Sequence, residues 1–130
     1  MLENFLYIIL TVLGFFLVLR VYVWIHSLLK KGKKIETVNG EIGAKINTGK
    51  KLLFYFYSPS CGACRPMTPV IDKLQKESED VYKINVTKDL SLSKTFGIMG
   101  TPATVMVEKQ RIQKYILGVR SEQFLRNLIQ

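Results

Sequence analysis

Two cysteines separated by two small residues, Cys61-Gly62-Ala63-Cys64, are the side chains of this 130-residue sequence whose types and spacing most directly suggest chemistry. Cys64 falls about one helical turn beyond Cys61, close enough for its thiol to attack a mixed disulfide formed at Cys61 and release whatever was bound there. The motif follows an apolar run and opens a stretch of helical pattern. Cys61 is therefore placed at a helix N-terminus, where unpaired N–H groups and the positive end of the helix dipole stabilise a thiolate. Cysteines so placed have pKa values lowered from about 8.5 to between about 3.5 and 7.5. Cys61 is the candidate nucleophile and Cys64 the candidate resolving thiol. Zinc would need two further ligands, and the one histidine, His26, lies in an apolar segment. Covalent haem would need a histidine where the chain has Arg65. Neither a metal nor a bound cofactor is expected, because a dithiol itself stores two electrons. A purely structural disulfide remains an alternative, although so small a loop restrains the unfolded chain little.

The elements that must position this pair can be read from hydrophobic periodicity. Lys51 to Tyr57 is a nearly continuous apolar and aromatic run of strand length, the mark of a strand covered on both faces, and Ser58-Pro59-Ser60 ends it. From Cys61 onward Met67, Val70, Ile71 and Leu74 recur at helical spacing, with Asp72, Lys73, Lys76, Glu77 and Glu79 outward. Upstream, Ile35 to Val38 is a short strand and Glu41 to Asn47 a short helix ended by Gly49. Downstream come a buried strand over Val81 to Val86, a helix over Leu90 to Phe96, and a strand over Ala103 to Val107. Its hairpin partner is Arg111 to Leu117, beyond a Glu108-Lys109-Gln110 turn, and a last helix started by Ser121 carries Phe124, Leu125 and Leu128 inward. Strands and helices in this alternation predict an α/β sandwich, a mixed central sheet with helices on both faces.

Composition locates the rest. Hydrophobic residues make up 48% of the chain, and the excess lies in residues 5–29, where only Arg20 and His26 can carry charge. A helix of about 21 residues spans about 31 Å, the thickness of a bilayer core. Tyr22 and Trp24 sit at aromatic-belt depth, and Arg20 is placed to snorkel. The start Met-Leu-Glu-Asn has no basic residue and no small-residue cleavage site follows the run, so an uncleaved single-pass anchor over residues 1–29 is expected rather than a signal peptide. Residues 30–34, with four lysines, form a basic juxtamembrane linker, and 35–130 the folded domain. Lys30, Lys31, Lys33 and Lys34 follow the anchor while no Lys or Arg precedes it, so the positive-inside rule puts the domain in the cytoplasm. Two cysteines are too few for a disulfide-stapled mini-protein, and four prolines with nine glycines too few for a disordered chain. The net charge of +9 is scattered as single residues rather than as a stripe with interleaved aromatics, so nucleic acid is not an expected partner.

Over residues 35–130 the chain resembles the thioredoxin family. The resemblance is carried by Leu52 to Tyr57 ahead of Cys61-Gly62-Ala63-Cys64, by Arg65 and Pro69, and by Val81-Tyr82-Lys83-Ile84-Asn85-Val86. Phe96-Gly97-Ile98-Met99-Gly100-Thr101-Pro102 and Gly118 complete it. It implies a thioredoxin-like three-layer sandwich preceded by one transmembrane helix. It also implies that Pro102 is a cis-proline facing the cysteines, that Gly100-Thr101-Pro102 pairs with an extended substrate peptide, and that Pro69 kinks the active-site helix. The sequence departs from thioredoxin itself in having Ser60 where a Trp precedes the first Cys, Ala63 where the motif has Pro, and Thr101 where Ile is common. The buried Asp that assists the second Cys corresponds to Tyr55, which leaves the matching Lys83 without that partner and open to a plain reading as an edge charge. These departures point to a specialised partner. The resulting expectation is a membrane-anchored thiol–disulfide oxidoreductase acting on protein dithiols and disulfides, with lipid contacting residues 5–29. Alternatives are a redox-idle binding module for a membrane partner, and an extracytoplasmic thiol reductase serving apocytochrome or secreted proteins.

Overall fold

The run after Lys51 becomes the strand around which the rest is built. In the computed structural model, which describes residues 1–35 and 38–130, β1 (Leu52–Tyr57) pairs in parallel with β2 (Val81–Asn85) and antiparallel with β3 (Ala103–Glu108). β3 pairs with β4 (Arg111–Leu117), giving the order β2-β1-β3-β4. Alternation along β1 sends Phe54 and Phe56 to one face and Leu53 and Tyr55 to the other, which is why an unbroken apolar run suits it.

Each face is closed by two helices. Ile46 of α2 (Glu41–Asn47) and Leu92 of α4 (Leu90–Thr95) cover Phe54, Phe56, Val105 and Val107. Phe96, at the end of α4, packs its ring 4.9 Å from Phe54 and 5.3 Å from Phe56. Ile71 and Leu74 of α3 (Thr68–Glu77) and Leu125 and Leu128 of α5 (Glu122–Ile129) cover Leu53, Tyr55 and Met106. Each such fully buried apolar side chain contributes roughly 1.5–3 kcal/mol relative to exposure. The three-layer α/β sandwich predicted from the alternation is the fold observed. A register shift between Met106 and Val107 adds a residue to β4, so Ile112 and Tyr115, three apart, both face the α2 and α4 layer.

Several expectations are corrected. The helix expected from Cys61 is interrupted: Gly62–Cys64 forms a 3₁₀ turn and α3 begins only at Thr68. Pro66 lacks the N–H that a continuous helix would need. Pro69 accordingly lies in the first turn of α3, where no N–H is missed, and does not kink a helix interior. β2 is a half-buried edge strand, with Val81 and Ile84 inward, rather than a fully buried one. Phe124 is 38% exposed, its ring 5.8 Å from the Arg120 guanidinium, while Leu125 and Leu128 point inward. The expected strand over Ile35 to Val38 includes two residues outside the described ones.

Ahead of the domain, α1 (Leu2–Lys30) is a single 29-residue helix with no buried residue, apolar and long enough to cross a membrane.

Candidate functional site

β1 leaves the sheet at Tyr57, and the Ser58-Pro59-Ser60 corner turns the chain into the cysteine motif, the Cys61 N–H donating to the Ser58 carbonyl at 3.1 Å. Cys61 and Cys64 form a disulfide with their Cα atoms 5.3 Å apart. The two sulfurs are not equivalent in access: Cys64 is 2% exposed, whereas Cys61 is partly open at a shallow depression lined by Tyr57, Pro59, Arg65, Thr68 and Pro69. Cys61 Sγ also accepts the Cys64 backbone N–H at 3.1 Å. That donor is fixed by the turn, and such a bond strengthens when its acceptor becomes an anion. Gly62 and Ala63 are exposed and leave the approach to Cys61 unobstructed.

β3 starts at the same end of the sheet, because Ala103 is in register with Phe56, near the end of β1. The Thr101–Pro102 bond ahead of it is cis, Pro102 is buried, and Gly100 is exposed with Thr101 half-exposed. The Pro102 carbonyl accepts the Gly118 N–H at 2.8 Å, but among the described residues neither the N–H nor the carbonyl of Thr101 has a backbone partner. The preceding loop is pinned from below. Tyr115 Oη donates to the Gly97 carbonyl and accepts the Met99 N–H, each at 3.3 Å, and Lys30 Nζ donates to the same Gly97 carbonyl.

Beneath the cysteines Tyr55 is completely buried. Its hydroxyl donates to the Cys64 carbonyl at 3.3 Å and lies 3.2 Å from Thr68 Oγ1, which itself donates to the Cys64 carbonyl at 2.9 Å. Burial pushes the Tyr55 phenol above its usual range. Lys83 is not left without a carboxylate: its Nζ is 2.6 Å from Asp72 Oδ1 on α3 and 5.2 Å from the centre of the Tyr57 ring, which is stacked on Tyr55 at 5.9 Å. Thr104, in register with Tyr55, is buried, and its Oγ1 has no hydrogen-bond partner among the described residues.

Thr68, Asp72, Thr104 and Tyr115 did not stand out in the sequence. Thr68 had a legible signal, a hydroxyl four residues after Cys64 that can bond back to its carbonyl. The other three depend on which strands and helices become neighbours.

The arrangement is a two-electron thiol pair, one sulfur reachable and one enclosed, at the same end of the sheet as the unpaired backbone of Thr101. Comparison with known proteins agrees with it. The family model described as Thioredoxin matches residues 33–130. The thioredoxin of Alicyclobacillus acidocaldarius is 30% identical over 83 residues, 62% of this chain and 79% of that protein. NADPH-dependent thioredoxin reductase 3 of Arabidopsis thaliana is 30% identical over 82 residues, 61% of this chain but only 16% of that much longer protein. The thioredoxin of Borreliella burgdorferi is 29% identical over 77 residues, 57% of this chain and 66% of that protein. Among solved structures, a mutant thioredoxin from Halobacterium salinarum superposes with a TM-score of 0.59 at 27% identity, covering 71% of this chain and 84% of the other. With the family model spanning the whole sandwich and the cysteine turn lying at the end of its central strand, the chain belongs to the thioredoxin family.

Proposed function

We propose that this protein is a membrane-anchored thiol–disulfide oxidoreductase that exchanges disulfides with protein substrates through Cys61 and Cys64. The reading rests on the inequality of the two sulfurs, Cys61 reachable and bonded by a fixed N–H, Cys64 enclosed. In the reducing direction the Cys61 thiolate attacks one sulfur of a substrate disulfide, forming a mixed disulfide and expelling a substrate thiolate, which takes a proton from solvent. Cys64 then gives up its proton and attacks Cys61 Sγ. The Cys61–Cys64 disulfide forms, the second substrate thiol leaves, and two electrons have passed to the substrate. An external dithiol restores the starting state, so no bound cofactor is required. Gly100, Thr101 and Pro102 hold the substrate, whose extended chain pairs with the open backbone of Thr101. Gly62 and Ala63 keep the approach clear, Pro69 starts the supporting helix, and Tyr55 and Lys83 set the surroundings of Cys64.

Anchoring is supported by the length of α1: 29 residues rise about 43 Å, more than the hydrocarbon thickness of about 30 Å. The lysines at 30, 31, 33 and 34 favour a cytoplasmic domain.

Alkylation of the reduced protein at mildly acidic pH tests the assignment of roles. Cys61 is labelled first, and a Cys64→Ser variant accumulates mixed disulfides at Cys61. Equal labelling of both cysteines, or preference for Cys64, overturns the assignment, and a catalytically flat protein that still binds its partner favours a redox-idle module.

A further inference from the structure

Residues 26–35 are not a free tether between anchor and domain. Ser27 Oγ donates to the Tyr115 carbonyl at 2.9 Å, and Lys30 Nζ, bonded to the Gly97 carbonyl, sits 4.6 Å from the centre of the Tyr115 ring. The Gly32 N–H donates to the Ile112 carbonyl at 2.6 Å, the Ile112 N–H to the Lys33 carbonyl at 3.0 Å, and the Ile35 N–H to the Gln110 carbonyl at 3.0 Å. Arg111 Nη1 adds a bond to the Gly32 carbonyl at 3.2 Å. As the chain advances from Ser27 to Ile35, its partners run backwards from Tyr115 on β4 to Gln110 in the turn before it. The end of α1 and the strap after it are therefore antiparallel to β4.

This direction has a geometric consequence. Moving from Ser27 up α1 toward its apolar part is moving along β4 from Tyr115 toward Leu117. Leu117 is in register with Ala103, and Ala103 with Phe56, so this is the end of the sheet at which β1 delivers Cys61 and Pro102 stands. From Tyr115 to Leu117 the strand rises about 7 Å, which on a helix is between four and five residues at about 1.5 Å each. An α1 axis continued along β4 carries the exposed Tyr22 and Val23, inside its apolar stretch, to the height of the cysteine end.

The surface at that end has matching chemistry. Met99 is 52% exposed, Leu90 61% and Val119 44%, the large apolar side chains of the domain most open to solvent. Around them the loops at this end carry Arg65, Lys88 and Arg120; of the acids nearest them, Asp89 caps α4, Glu122 at the start of α5 is paired with Lys73 and Arg126, and Glu41 at the start of α2 lies beside Asp89. The opposite end mixes Lys50, Lys51 and Lys109 with Glu79, Asp80 and Glu108. Exposed apolar groups among cations are what a headgroup layer with anionic lipid attracts.

We infer, building on the membrane-anchored reading above, that the strap along β4 holds the Cys61–Cys64 end of the domain against the lipid headgroups, so that its substrates are disulfides of membrane proteins lying at the bilayer surface. Such a site meets juxtamembrane cysteines at a raised local concentration and reaches distant cysteines poorly.

The full chain, reconstituted in vesicles of phosphatidylcholine and phosphatidylglycerol containing a headgroup spin-labelled lipid, provides the test. With Trp24→Phe removing the native tryptophan, a reporter at the cysteine end (Met99→Trp, or Val119→Trp should the first fold poorly) is compared with one at the opposite end (Lys50→Trp). The spin label quenches the first reporter at least twofold more than the second, and insertion of ten Gly and Ser residues between Ile25 and His26, which leaves the strap docked but frees it from the membrane, abolishes the difference. Co-reconstituted helical peptides carrying a two-cysteine disulfide loop immediately beyond the membrane, or twenty residues further out, are reduced with rates differing about tenfold in favour of the near loop. Equal quenching of the two reporters, or equal rates on the two peptides, overturns the inference. Reduction of a soluble disulfide peptide and retention in vesicles after an alkaline wash test the underlying reading separately. A protein that passes both and fails the quenching comparison overturns the surface alone.

Discussion

Tyr55 occupies the position under Cys64 where an acidic side chain would sit in thioredoxin itself, and its hydroxyl bonds the Cys64 carbonyl and Thr68 rather than a sulfur. A neutral phenol can be enclosed completely because its one polar atom is satisfied, whereas a lone carboxylate there would bear a large desolvation cost. Replacing Tyr55 by Phe keeps the ring and removes one buried hydrogen-bonding group, so stability in urea falls by about 1 kcal/mol. The same residue makes a pH prediction. Burial pushes the phenols of both Tyr55 and Tyr115 above their usual value of 10. The folded state therefore keeps protons that the unfolded chain releases. This stabilisation is complete below pH 10 and is lost as the pH rises from there through the folded values. Denaturant melts at pH 9 and pH 11 detect it: the wild type loses more stability across that interval than a Tyr55→Phe, Tyr115→Phe double variant.

Two features belong to the elements. α3 and α5 are joined across the sheet face by Arg126, whose Nη1 is 2.5 Å from Glu77 Oε2 and whose Nη2 is 2.8 Å from Glu122 Oε1, with Lys73 2.9 Å from the same Glu122. The Arg126 hydrogen bond holds the Glu77 carboxyl below its usual value of 4.5, and Lys73 followed by Arg126 does the same for Glu122. The stabilisation is present above the ordinary carboxylate value and is lost as the pH falls through the lowered folded values. These side chains are solvated, so the effect is small and weakened by salt. Urea midpoints of wild type and Arg126→Leu converge between pH 6 and pH 3, the difference at pH 6 shrinking further in high salt. The β3–β4 hairpin turns through Lys109 and Gln110, both at positive φ, 53° and 61°. Tight hairpin turns require this twist and favour glycine in it. Gln110→Gly relieves the strain at some cost in unfolded-chain entropy, for a net gain of up to about 1 kcal/mol, read as a higher melting temperature.

At the scale of the whole molecule, the proposed orientation of the domain is argued from charge at the end of α1. Exchanging Lys30, Lys31, Lys33 and Lys34 for Gln and adding lysines beside Glu3 reverses the asymmetry that the positive-inside rule reads. Protease added to permeabilised but intact cells leaves the unmodified domain whole and digests it in the inverted variant. Cleavage of the unmodified domain from outside would instead assign it to the extracytoplasmic face. The long apolar helix, the sandwich and the cysteine pair were legible in the residues, because an unbroken apolar segment, alternating periodicities and a two-residue thiol spacing are local signals that need no partner to be read. β1 could be recognised by composition because both of its faces are covered, and Ser121 as a cap because its side chain bonds a neighbour three residues on. Sequence distance hid the rest. Asp72 reaches Lys83, Thr104 comes beside Tyr55, and Lys30 reaches Gly97 only after strands and helices far apart in the chain have packed. The break between Cys64 and α3 was within reach, since Pro66 forbids a continuous helix, but the helical spacing of Met67, Val70 and Ile71 masked it. Periodicity finds which face of an element is apolar. The neighbour that face meets, and the direction in which α1 runs past β4, are decided by long-range pairing that no local pattern encodes.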